Sequence, residues 1–170
     1  MSGLLRSVQA ALVGDREVSL YELLYTMKLG GSFLNAFAEA LRLTLALEAA
    51  DREGITTTAD EVQAEADAAR RDAGLSNAGE TRLWLRRRGW LEEDFEESMR
   101  RRVLIRKLRK SVIRHEIRPY FEAHRGDFES EALDRPTATR IATILWERWL
   151  AEESERRNSL FTLPGALVKR

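Results

Sequence analysis

Apolar residues recur three and four positions apart along nearly the whole chain, and no stretch of strand length alternates apolar with polar side chains. That period is the signature of amphipathic helices, so the sequence predicts an all-α fold without a sheet. Breakers divide the pattern. Gly14-Asp15 reads as a turn, residues 18–29 as a first helix with Leu20, Leu23, Leu24 and Met27 on one face, and Gly30-Gly31 as its end. Ser32 suits the cap of a second helix, 32–53, whose Phe33, Leu34, Phe37, Leu41 and Leu45 make a wide apolar surface; Gly54 suits the position just past its end.

Thr58, followed by Asp60 and Glu61, opens a third helix that Gly74 stops, and residues 78–88 form a short fourth closed by Gly89. A fifth, 92–112, starts on Glu92, Glu93 and Asp94 and finishes on Arg106, Lys107, Arg109 and Lys110, the order that the helix dipole favours. Pro119 interrupts the pattern beside Tyr120-Phe121, and residues 126–136 read as a loop. The last helix, 137–158, turns Ile141, Ile144, Leu145, Trp149 and Leu150 inward. Residues 1–158 thus read as one compact multi-helix domain closed by its C-terminal helix, and 159–170, with Pro164-Gly165, as a loose tail.

Composition narrows the chemistry. In 170 residues there is no Cys, which excludes disulfides, thiolate metal sites and cysteine nucleophiles, and 28 basic side chains balance 28 acidic ones. That balance argues against capture of nucleic acid by net charge, and no apolar run approaches the roughly 20 residues of a membrane span. The opening residues lack the pattern of a secretory leader, so the expected location is cytoplasmic. One region is densely basic: between Arg82 and Arg114, 12 basic residues face 5 acidic ones. They wrap around the helix without interleaved aromatics, so a solvated face fits better than a phosphate-binding stripe.

His115 and His124, with Glu116 and Glu122 nearby, are the candidates for acid–base chemistry; nine residues apart around Pro119, the histidines miss the spacing of a helical metal pair. Neither a metal nor a cofactor is expected, and no phosphate loop or nucleophile elbow occurs. Aromatic residues offer a second kind of site. Tyr21, Tyr25, Phe33, Phe37, Trp84, Trp90 and Trp146 are candidates to line a groove for an extended peptide, whereas Trp149 shares the inward face of Leu145.

The segment Gly54-Ile-Thr-Thr-Thr-Ala-Asp-Glu-Val62, then Trp84-Leu85 with Gly89, Asp94-Phe95, Leu104, Lys107-Leu108, Tyr120-Phe121 and Phe128 follow one pattern. It resembles the helical, chaperone-like core of the SurA family of parvulin-type peptidyl-prolyl isomerases, over about residues 16–128. In that family a parvulin domain follows the Tyr-Phe element, and a returning helix then completes the core. Here only residues 129–136 lie between Phe128 and Thr137, too few for such a domain, and Leu145-Trp-Glu-Arg-Trp-Leu150 looks like the returning helix. The resemblance implies a SurA-like core without prolyl isomerase activity. Its partner would be a peptide or unfolded polypeptide segment, with a biosynthetic enzyme of peptide or natural-product maturation as a further partner. The alternative is a small enzyme whose helical pocket uses Glu, Asp and His as acids and bases. A closed cavity with convergent carboxylates and histidine would mark the enzyme, and an open apolar groove the binder.

Overall fold

The computed structural model describes residues 6–13, 16–130, 132–157, 162–163 and 166–167. Strands β1 (Gln9–Val13) and β2 (Arg16–Ser19) precede helices α1 (Leu20–Leu29), α2 (Ser32–Arg52), α3 (Ala59–Asp72), α4 (Ala78–Arg87), α5 (Glu92–Ile113), α6 (Ile117–Ala123) and α7 (Arg135–Arg156). Strands β3 (Thr162–Leu163) and β4 (Ala166–Leu167) follow. The fold is all-α, with two minor antiparallel hairpins. Among the described residues no helix is long and apolar enough to cross a membrane.

The first hairpin corrects the expectation of no sheet. Val18 pairs with Ala11 in β2, so it does not begin the first helix. Helix α1 starts two residues later, at Leu20, because the Ser19 hydroxyl accepts the Glu22 N–H at 3.2 Å while the Glu22 carboxylate accepts the Ser19 N–H at 2.9 Å. This reciprocal cap fixes the boundary. The strands have five and four residues, too few for alternation to stand out against the helical period. The loose tail expected at 159–170 falls largely outside the described residues; within it, β3 pairs with β4.

Two compact units divide the chain, one within Met1–Thr44 and Glu153–Arg170, the other within Leu45–Glu152. The second holds three apolar clusters. Ala46, Ala49 and Ala50 of α2 pack with Leu108 of α5 and Leu150 of α7, flanked by Trp146 and Trp149. Val62 and Ala66 of α3, Leu85 of α4 and Phe95 and Met99 of α5 make the next. Ile113, Phe121, Ile141 and Leu145 make the third.

Helix ends shape this unit. Past α3 the Leu75 N–H donates to the Arg70 carbonyl at 2.9 Å and the Gly74 N–H to that of Arg71 at 3.0 Å. Past α4, Trp90 donates to Leu85 at 3.0 Å and Gly89 to Arg86 at 3.1 Å. Both are Schellman closures whose left-handed residue is Gly, at φ 70° and 66°. Pro119 does not interrupt a helix: it sits in the first turn of α6, where its missing N–H costs nothing. The inward face of α7 is narrower than expected. Ile141, Leu145 and Leu150 are buried, Trp149 is half-buried and Ile144 is exposed. Ile144 lies about 100° around the helix from Leu145, beyond the arc that the neighbouring helices cover.

Candidate functional site

A cleft of the Leu45–Glu152 unit lies between α3, α4 and the first turns of α5, and has a volume of about 900 Å³. Its floor is Val62, Ala66, Leu85 and Phe95, all buried members of one cluster. Local sequence sets its walls. Thr58 caps α3 by accepting the Glu61 N–H at 3.2 Å, and Asn77 caps α4 by accepting the Glu80 N–H at 3.0 Å. The two helices thereby begin at the cleft, and both caps line it.

Charge along the rim is unevenly compensated. Asp67 pairs with Arg70 at 2.8 Å and accepts from Gln63 at 2.9 Å; the Arg70 guanidinium also lies 5.4 Å from the centre of the Phe95 ring. Arg100 pairs with Glu96 at 2.9 Å and Glu97 at 3.1 Å. Arg71 and Arg82 also line the cleft and are exposed, and among the described residues neither side chain has a hydrogen-bond or ion-pair partner. The cleft therefore joins an apolar floor to two guanidinium groups without an ion-pair partner, against one such carboxylate, Glu92. Such a surface suits a chain that buries apolar side chains and offers a carboxylate to the rim.

The acid–base candidates do not converge. His115 and His124 are exposed; the His124 ring stacks on Tyr120 with centroids 4.1 Å apart, and its Nδ1 lies 2.9 Å from the Tyr120 carbonyl oxygen. Glu116 is ion-paired with Arg148, and Glu122 stands 3.9 Å from Arg118. Among the described residues no three His, Asp or Glu side chains are grouped so as to hold a metal ion. The carboxylates with displaced pKa values are structural. Glu61 is lowered by the Thr58 N–H and then Lys107, Glu80 by the Ser76 N–H and hydroxyl, and Asp134 by hydrogen bonds from Thr137.

The aromatic candidates fall into separate groups. Tyr21 stacks on Tyr25 within α1, and Phe33 on Phe37 within α2. Trp84 meets Trp90 and Phe95 edge-on at 6.3 and 6.1 Å, while Trp146 stacks on Trp149 at 5.0 Å in a different cluster. None of the seven lines the cleft, but Trp84 packs directly behind its Phe95 wall. Sequence reasoning missed Arg71, Arg82 and Phe95 as a set. Part of the basic run beyond the cleft is engaged within the protein: Arg106 pairs with Glu65, Lys107 donates to Glu61 at 2.9 Å and to the Thr56 carbonyl at 2.7 Å, and Arg109 donates to Thr143 at 3.1 Å. Comparisons with protein-family models, curated proteins and solved structures found no match to this chain.

Proposed function

We propose that this protein is a chaperone-like peptide-binding module, a SurA-like helical core without an isomerase domain, which holds an extended or unfolded polypeptide segment in the α3–α4–α5 cleft. The carrying observation is the open cleft whose apolar floor adjoins the unpaired Arg71 and Arg82. Its client presents apolar side chains to Val62, Leu85 and Phe95 and an acidic group to the rim. On this reading the protein works in the cytoplasm, delivering peptides to an enzyme of peptide or natural-product maturation.

Fluorescence anisotropy with labelled unstructured peptides tests the reading. An acidic peptide with aromatic side chains should bind, and its lysine-substituted counterpart should bind at least about tenfold more weakly, the factor expected for 1.4 kcal/mol. Because Arg71 and Arg82 are exposed, Arg71→Glu with Arg82→Glu should leave folding intact while removing that preference. Equal affinity for both peptides, or wild-type affinity in the double variant, refutes the reading.

A further inference from the structure

The basic run of α5, which reads from sequence as a solvated face, divides in two once its partners are traced. Arg100 and Arg101 pair with Glu96 and Glu97, Arg106 with Glu65, and Lys107 with Glu61. Toward the end of the helix the pairing stops. Arg109 reaches only the neutral Thr143 hydroxyl, and Lys110 and Arg114 are exposed, their side chains without a hydrogen-bond or ion-pair partner among the described residues. Arg106, Arg109, Lys110 and Arg114 line a hollow of about 280 Å³. Its apolar lining is Ile113, which is buried, and Ile117, the half-buried first residue of α6.

The helix dipole does not account for this cluster. A helix C-terminus carries roughly half a negative charge, and Glu65 supplies one more, so more than half of the charge of the four cations is uncompensated. The nearby acids of α6 are engaged elsewhere, Glu116 by Arg148 and Glu122 beside Arg118. Arg106 and Lys110, and again Lys110 and Arg114, stand at the four-residue spacing at which like charges disfavour a helix. A bound anion turns that repulsion into attraction. The isoleucines offer an anion no donor, so a ligand's charge must be met by the cations and its carbon by the apolar lining. A carboxylate carries one charge on two oxygens. A phosphate ester carries about −1.5 to −2 and three acceptor oxygens on one centre, which forked guanidinium groups hold two at a time.

We infer that the α5–α6 hollow binds the phosphate group of a small organic phosphate, whose apolar part lies on Ile113 and Ile117. The hollow shares no lining residue with the α3–α4–α5 cleft, so this site does not depend on the peptide reading. At about 280 Å³ it lies just below the roughly 300–1,000 Å³ of pockets for drug-sized ligands, which keeps the apolar part short.

Butyl phosphate is the probe, titrated into the full-length chain at fixed ionic strength by calorimetry and by nuclear magnetic resonance of the isoleucine methyl groups. It should shift the Ile113 and Ile117 signals and bind at least about tenfold more tightly than inorganic phosphate, the factor that about two buried methylene groups supply. Lys110→Ala with Arg114→Ala, at exposed positions, should fold normally and weaken binding at least about tenfold. Arg86→Ala with Arg87→Ala removes the same charge from exposed positions of α4 and should leave the affinity within about twofold. Equal weakening in the two double variants overturns the inference, because the attraction would then be diffuse. Equal affinity for butyl and inorganic phosphate overturns it too, as does an absence of binding. If the chain captures RNA or anionic vesicles through Lys110 and Arg114 while butyl phosphate leaves both methyl signals unmoved, the occupant is a macromolecule and the inference fails.

Discussion

Leu108 and Ile144 show how one period of apolar residues conceals two fates. Leu108 has no exposed surface and joins α5 to α2 and α7, so Leu108→Ala should cost about 2–5 kcal/mol in chemical denaturation, including the cavity it leaves. Ile144→Ala, at a 37% exposed position, should stay within about 0.5 kcal/mol. A cost above about 2 kcal/mol at Ile144 would mean that the surface is covered in solution. Periodicity places both residues on helices, but the width of a buried arc depends on the neighbours across it. The cleft arginines were hidden for a related reason. That Asp67 would engage Arg70 and leave Arg71 open is a matter of rotamer and packing, since both arginines are within reach of Asp67 along the helix.

The Thr58 cap was legible because it is local: Thr58 with Glu61 completes its hydrogen bonds within three residues, so sequence spacing and structure coincide. Ser32, expected to cap α2, is instead its first residue, and its hydroxyl donates to the Met27 carbonyl at 3.3 Å. Thr58→Ala should destabilise by about 1 kcal/mol, measurable as a shifted denaturant midpoint with unchanged slope. The β1–β2 hairpin was less visible, although Gly followed by Asp is a turn signal between short strands; Gly14-Asp15 itself lies outside the described residues. Caps also set an acid response. Glu61, Glu80 and Asp134 have folded pKa values below their ordinary ones, because each carboxylate accepts hydrogen bonds in the folded state. Their stabilisation is therefore complete above the unfolded values, near 4, and is lost as pH falls through the lowered ones. The melting temperature should fall with acidification in that window. Combining Glu61→Gln, Glu80→Gln and Asp134→Asn should flatten the slope, and an unchanged slope would place the acid response elsewhere.

At the scale of the whole molecule, α7 decides whether the core is complete. The inward pattern of Ile141, Leu145 and Leu150 was readable from sequence, but not the distribution of these residues over two clusters: Ile141 and Leu145 pack with Ile113 and Phe121, and Leu150 with Ala46, Ala49, Ala50 and Leu108. Residues 129–134, between Phe128 and α7, leave no room for a catalytic domain, so a proline-limited refolding assay should show no acceleration at substoichiometric protein. The stronger test removes α7 itself. At about 1.5–3 kcal/mol for each buried side chain, losing Ile141, Leu145 and Leu150 forfeits roughly 5–9 kcal/mol of gross burial, comparable to the net stability of a whole domain. The loss also uncovers apolar faces of α2, α5 and α6 together, so surface exposure adds aggregation to instability. A chain ending at Arg135 should therefore lack a cooperative thermal transition in circular dichroism and should aggregate. If that fragment instead melted cooperatively as a soluble species, α7 would be an appendage, and the reading of this chain as a core closed by its returning helix would fail.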